Sequence, residues 1–335
     1  MAEKVFYDIT IIGGGPVGMF AATYARMRLA KTQIIESLGQ LGGQVNALFP
    51  AKKIYDIPGF PEITGAALVE QLKSQMGQFS PDVFLNETVL SLTKVEGGFK
   101  LKTTNRTTYS KTIIIATGGG AFAPRKLKLD NASAFENKKL HYFVKDINDF
   151  KDQEVAIAGG GDSAIDWALE LAPVAKKVHL IHRRDNFRAL EASVASLKET
   201  ETVFHTPYLI TDLADDSDKL SLSLERVRSD ETKTLTVDHL LVNYGFSSSS
   251  KFLKDWGLKL ERQKIAVDEH FETTVPGIYA IGDIATYEGK LELMVTGFGE
   301  APATVNNALL AVYPEKRQPA HSTQLIQKFN ESHNN

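Results

Sequence analysis

The chain has 335 residues, enough for about two domains as a prior, with 43% hydrophobic and 24% charged residues. A formal net charge of −3 gives no reason to expect nucleic acid or an anionic membrane, and no apolar run reaches the roughly 18 residues that span a bilayer. Cysteine is absent and the eight histidines show no metal-binding spacing, so a thiol nucleophile, a redox disulfide and a Cys-ligated iron–sulfur cluster are excluded.

In chain order, residues 8–12 read as a buried strand. It starts within ten residues of Met1, which leaves no room for a signal peptide and points to the cytoplasm. A glycine turn follows, then a helix over 19–25. Gly13, Gly15 and Gly18 fit G-x-G-x-x-G between strand and helix. The first glycine permits the tight turn, the second lets a pyrophosphate approach the backbone, and the third lets helix and strand pack closely. The helix N-terminus offers free N–H groups to phosphate. At the end of the next strand, 32–35, stands Glu36, placed to accept hydrogen bonds from a ribose.

Residues 38–44 form a Gly-rich loop, read either as a connector or as backbone and Gln44 amide contact with a cofactor that continues past its ribose. Phe49 reads as core or as a ring stacked on a planar group. A turn at 56–61 precedes an amphipathic helix from 64 to about 79. Short strands fill 83–116. In the first, the backbone at Val89 could bind an adenine edge, while its side chain suits the core. The last strand ends in Thr117-Gly118-Gly119-Gly120, a second approach of bare backbone to something. A linker over 121–125 follows.

The opening signal then recurs. Strand 154–158 runs into Gly159, Gly160, Gly161, Asp162, Ser163 and Ala164, the G-x-G-x-x-A form, followed by a helix over 165–171 and a strand over 177–181. Where the first copy has Glu36, this copy has His182, Arg183 and Arg184. An acid there would bond a free 2′-hydroxyl and repel a 2′-phosphate, whereas arginine binds phosphate. This copy should prefer NADP(H) to NAD(H). Residues 203–245 read as a β-meander with a hairpin turn at 215–218, and 243–250 as a return linker. A buried strand then ends in Gly282-Asp283, where Asp283 could accept a hydrogen bond from a polyol chain. A helix from Glu300 to about Val312 would aim its positive end at the same place. The polar tail from Pro314 holds a possible docking helix.

Two nucleotide turns admit two readings. One is a repeat that binds two copies of one cofactor. The other is a flavoprotein with FAD on the first turn and a nicotinamide on the second. The contrast between Glu36 and Arg183-Arg184 favours the flavoprotein, as do the loop and the Gly-Asp strand end that extend the first site.

At this point the sequence resembles a known family. GGGPVG, Glu36, LGGQ, IIIATGGG, GGGDSA, HRR and GD occur in the order seen in flavoproteins shaped like thioredoxin reductase. The stretch matching that enzyme's Cys-x-x-Cys, residues 140–146, carries no thiol, so disulfide reduction is excluded. NYGF, YEGK, GFGEAP and the tail HST resemble the thioredoxin-reductase-like (type 2) ferredoxin–NADP⁺ reductases. The resemblance implies an α/β fold of two Rossmann-like dinucleotide-binding domains. Residues 1–117 and 248–335 would form a discontinuous FAD domain, and 118–247 an inserted NADP(H) domain. It implies FAD contacts at Glu36, Gln44, Phe49, Val89, Phe122, Asp283 and Thr323, with His321 covering one flavin face. The family often has Tyr at position 49, and Phe keeps the ring but loses the hydroxyl.

The implied reaction moves hydride between NADPH and FAD and single electrons between FAD and ferredoxin or flavodoxin. No side chain acts as nucleophile or acid for the hydride step. The alternative is an NADPH oxidase or diaphorase passing electrons to oxygen, quinone or ferric iron. A homodimer is implied by the resemblance. Lys52, Lys53, Lys316 and Arg317 are basic candidates for an acidic partner. The two crossings, near 117–124 and 243–250, would let the nucleotide domain rotate as a rigid body.

Overall fold

A computed structural model of the chain describes residues 5–120, 122–144, 146–248, 251–317 and 322–333. The chain divides into two compact units, Met1–Ala121 with Ser248–Asn335, and Phe122–Ser247.

The discontinuous unit is built on a seven-stranded mixed sheet. Strand Phe6–Ile12 lies between Thr32–Ile35 and Thr107–Ile115, parallel to both. Asp82–Phe84 extends one side, Ile278–Ala280 pairs parallel with Thr107–Ile115, and Gly98–Thr103 with Val89–Val95 adds an antiparallel meander. Alternation along the strands feeds two cores. Ile9, Ile11, Ile34 and Ile114 pack with Met19, Leu68, Val69 and Val305. Ile12, Ile35, Ile113 and Ile115 pack with Phe99, Leu101 and Trp256. Burying each such side chain is worth about 1.5–3 kcal/mol. The returning segment supplies both a strand and a helix to these cores, which is why the unit needs two stretches of chain.

The first helix, Pro16–Met27, begins with proline, whose missing N–H costs nothing at that position. The helix Gly65–Gly77 is capped by Thr64, whose Oγ1 accepts the Ala67 N–H at 3.3 Å, and buries Leu68, Val69, Leu72 and Met76. Two expectations are corrected here. Gln44 lies in a short helix, Gly43–Ala47, rather than in a loop. The long helix starts at Met294, not Glu300, and runs to Val312. Its interior includes Gly297, a residue of low helix propensity. A Cβ there would lie 2.5 Å from the Val17 side chain, so close packing overrides the propensity penalty.

The second unit holds a five-stranded parallel sheet in the order Leu140–His141, His239–Val242, Glu154–Ala158, Lys177–Ile181, Val203–His205. The antiparallel meander is narrower than 203–245 suggested. Only Tyr208–Asp216, Lys219–Arg226 and Thr232–Val237 form it, and the flanking strands join the parallel sheet. The two crossing segments pair as a two-stranded ribbon, Phe122–Pro124 with Phe246–Ser248. Among the described residues no helix is long and apolar enough to cross a membrane, and no cluster of three or more His, Cys, Asp or Glu could hold a metal ion.

Candidate functional site

Both glycine turns sit at the ends of the central parallel strands and share one hydrogen-bond plan. In the first, the Gly13 N–H donates to Ile35 O at 2.9 Å and the Ala116 N–H to Ile12 O at 2.8 Å. In the second, the Gly159 N–H donates to Ile181 O at 3.0 Å and the Asn243 N–H to Ala158 O at 2.8 Å. The helices that follow, Pro16–Met27 and Asp162–Leu171, carry no side-chain cap, so their first N–H groups and positive ends face outward from the turn.

The glycines divide by what requires them. Gly13 has φ +110°, and a Cβ there would lie 2.5 Å from Ala116 O. At Gly18 it would lie 2.0 Å from Gly13 O, and at Gly159 2.6 Å from Asn243 O. The fold itself demands these three. At Gly15 the nearest atom to such a Cβ is 4.0 Å away, and at Gly161 it is 3.8 Å away. The fold does not need glycine at either position; what it leaves there is bare backbone open to a ligand.

Glu36 is buried, and its carboxylate closes the first turn. Oε2 accepts the Gly14 N–H at 2.6 Å, and Oε1 accepts the Leu38 N–H at 2.8 Å and the Ser37 hydroxyl at 3.1 Å. Gln44 is half-buried, its Nε2 3.0 Å from where a Cβ on Gly119 would sit, so it borders the Gly-rich loop 118–120. Phe49 is half-buried with Lys52 over its ring at 5.7 Å. Val89 sends its side chain into the core. Asp283 follows Gly282 after the strand Ile278–Ala280 and keeps an exposed side; burial of its remainder, with Glu292 nearby, raises its carboxyl above the ordinary range. Thr323 is exposed on the helix Ser322–His333, which Phe329 holds against Phe79 at 5.0 Å between rings. His321 lies outside the described residues. Phe122 is described only as backbone in its short strand. Lys53 is paired with Glu62 at 3.1 Å, Lys316 lies over Tyr313 at 4.4 Å, and the Arg317 carbonyl accepts from Arg28.

In the second unit His182 takes the place of Glu36. Its N–H donates to His205 O at 3.0 Å, and its ring stacks on Phe187 with centroids 5.4 Å apart. A Cβ on Gly160 would lie 2.3 Å from that ring, so the imidazole backs the turn. Burial holds its pKa below the usual histidine value, and the Arg183 and Arg184 guanidinium groups push the same way, while a backbone hydrogen bond at Asn186 opposes. Arg183 and Arg184 are exposed. Ser163 is half-buried and Ala164 buried in the helix start, and Asp162 Oδ1 accepts the Leu190 N–H at 3.0 Å.

Sequence reasoning missed several residues here. Arg188 returns over the turn: its N–H donates to Gly160 O at 2.7 Å, and it forms a bridge with Gly161. A third arginine soon after His182 was the available signal. Glu300, almost wholly buried, accepts the Gly282 N–H at 2.7 Å, the Tyr287 hydroxyl at 2.7 Å and the Lys290 ammonium. This fixes the turn that carries Asp283.

Orphaned polar atoms mark both turns. Thr117 Oγ1, His182 Nε2 and Asn243 Oδ1 are buried with no hydrogen-bond partner among the described residues. Each such group costs about 1–3 kcal/mol unless something satisfies it. Open glycine backbone, uncapped helix starts and unsatisfied donors and acceptors together fit a dinucleotide at each turn.

Known proteins are similar to this chain over most of its length. A family profile described as pyridine nucleotide-disulphide oxidoreductase matches residues 7–309. A ferredoxin–NADP reductase of Ligilactobacillus salivarius is 53% identical, with all of both chains covered. One of Enterococcus faecalis is 51% identical over 97% of this chain and 98% of its own. A crystal structure of Lactococcus lactis thioredoxin reductase superposes with a TM-score of 0.79 at 28% identity, covering 92% of this chain and 99% of that one.

Proposed function

The chain belongs to the pyridine nucleotide-disulphide oxidoreductase family, with a thioredoxin-reductase-like fold, and we propose that within it the protein is a ferredoxin–NADP⁺ reductase. It moves hydride between NADPH and FAD, and single electrons between FAD and ferredoxin or flavodoxin. The observation that carries this reading is the contrast between the two turns. One ends in a buried carboxylate, the other in an imidazole flanked by exposed arginines. The names of relatives at half identity over their full length support the acceptor. The absence of cysteine removes the disulfide chemistry in the family's name.

In this reading residues 1–117 with 248–335 hold FAD and 118–247 hold NADP(H). The compact units divide the chain close to those boundaries. Gly13, Gly15 and Gly18 with the first helix start take the flavin pyrophosphate. Glu36 accepts from the ribose, Asp283 accepts from the polyol, Phe49 offers a ring face, and Gln44, Val89, Phe122, Thr323 and His321 complete the contacts. Gly159, Gly161, Asp162, Ser163 and Ala164 form the second pyrophosphate turn. His182, Arg183 and Arg184 bind the 2′-phosphate. The flavin, when bound, supplies hydride acceptance and one-electron steps, so the side chains bind and orient rather than exchange protons. The reading extends to a homodimer in the cytoplasm. The family resemblance supports the first, and a chain without disulfides agrees with the second.

The test is anaerobic stopped-flow mixing of the yellow protein with NADPH, then with oxidised ferredoxin. The expected result is loss of the flavin's visible absorbance followed by fast recovery on ferredoxin. Recovery only with oxygen or quinone would make the protein a diaphorase. No loss with NADPH would overturn the reading.

A further inference from the structure

The loop that returns over Glu36 is held by a polar network that no step of the reaction uses. The Glu36 N–H donates to Phe84 O at 2.8 Å, and Glu36 O accepts the Glu87 N–H at 2.9 Å. The Asn86 N–H donates to Leu38 O at 2.9 Å. Residues 84–87 therefore clip both sides of the strand end whose carboxylate closes the glycine turn. These backbone bonds fix where Glu36 sits only if the clip itself is fixed.

Arg106 fixes it. Its Nε donates to Glu87 Oε1 at 2.9 Å, its Nη2 donates to Gln33 Oε1 at 2.9 Å, and its guanidinium lies 3.5 Å from the centroid of the Phe84 ring. One planar cation thus grips the clip at two residues and the strand Thr32–Ile35 at a third. Gln33 is fully buried and passes the connection inward, its Nε2 donating to Thr10 Oγ1 at 2.8 Å and Thr108 Oγ1 at 3.1 Å. Glu87 is almost fully buried, and its charge has Arg106 as partner. From Arg106 a continuous set of hydrogen bonds reaches Glu87, then Glu36, then the Gly14 N–H.

We propose that Arg106 is a positioning residue for the adenosine end of the flavin nucleotide, acting through Glu87 and Phe84 on Glu36. The proposal rests on the reading that the first turn holds FAD. A carboxylate that must meet ribose hydroxyls within hydrogen-bond reach loses affinity when its support loosens. Arg106 touches no ligand itself.

The test measures FAD and ADP dissociation constants, by fluorescence quenching and calorimetry, on apoprotein of the wild type, Arg106→Ala, Glu36→Gln and the double variant. Thermal melting of each apoprotein runs alongside. Arg106→Ala is expected to weaken both ligands by the same factor, about tenfold, and Glu36→Gln by more. The double variant should be no weaker than Glu36→Gln alone, because both changes break one contact. Arg106→Lys should recover only part, since it keeps a charge beside Glu87 but not the fork to Gln33. Should Arg106→Ala fail to fold, Arg106→Gln with Glu87→Gln leaves no buried charge unpaired and carries the same expectation. Losses that multiply in the double variant, or a loss for FAD without one for ADP, overturn the proposal. If Glu36→Gln leaves wild-type affinity intact, this proposal fails while FAD binding stands. If the wild-type apoprotein binds neither ligand, the reading of the first turn fails as well.

Discussion

In the first unit the residue after the second strand is Glu36, whose carboxylate accepts the Gly14 N–H; in the second it is His182, whose ring backs Gly160. The glycine turns around them are held by matching backbone bonds, to Ile35 and Ile12 in one and to Ile181 and Ala158 in the other. The same scaffold is thus finished with an acceptor in one place and with an imidazole beside two cations in the other. The support beneath differs too. Three residues before Glu36 stands Gln33, tied to Arg106, and three before His182 stands His179, paired with His205 at 3.0 Å. Backbone geometry sets that a nucleotide can dock. In the proposed reading, the single strand-end residue and its flank select which nucleotide docks.

The largest expected effect separates glycines that the fold needs from those a ligand needs. Gly18→Ala would put a Cβ 2.0 Å from Gly13 O, backbone that cannot move aside, and should cost more than about 3 kcal/mol. The apoprotein should melt far below the wild type. Gly15→Ala meets no atom nearer than 4.0 Å. Its apoprotein should melt with the wild type yet purify without FAD. A Gly15→Ala protein that stays yellow would show that the open backbone at Gly15 is not a ligand surface.

Next comes the charge contrast. Removing Arg183 and Arg184 together should cost about 2–4 kcal/mol of NADPH binding and little of NADH binding. Steady-state KM values for the two nucleotides check this. Equal losses would mean that the arginines do not read the 2′-phosphate, and the comparison with Glu36 would lose its meaning.

Much of this was legible because a glycine turn is local. Strand, three glycines, helix and strand-end residue lie within about 30 residues, and each signal has its own steric or electrostatic reason. Helix starts were less legible. The expected start at Glu300 left Gly297 out of the helix, and its place inside is explained by Val17, nearly 300 residues earlier. Arg106 could not be read at all, since it joins Gln33 to Phe84 and Glu87, two stretches of chain distant from each other and from itself. Nor does the sequence bring Lys290 to Glu300, which the fold buries on one another. Pattern reveals what a segment can become; which distant charge it meets is settled by topology.

The smallest expected effect concerns the support beneath each strand end. Gln33 does not titrate, whereas the pair His179–His205 does. Burial lowers His205 to about 4, and Lys233, His179 and Lys177 push the same way. His179 is also lowered by burial, then by Lys177, with Glu154 opposing. The two imidazoles hydrogen-bond ring nitrogen to ring nitrogen, an arrangement that neutral rings satisfy and two cations cannot. A histidine near 6.5 when unfolded and near 4 when folded binds more protons in the unfolded state between those values. Its contribution is therefore fully present above about pH 6.5 and is lost as pH falls toward 4, a loss of about 2–3 kcal/mol. Amide protection factors in Val203–His205, taken relative to the intrinsic exchange rate at each pH, should fall over this range before those in Thr32–Ile35 do. His205→Gln removes the titrating group from the pair, so the protection factors of this strand should depend less on pH than those of the wild type. An unchanged pH slope in that variant would show that the acid sensitivity of the second unit lies elsewhere, and that the two strand ends are supported alike.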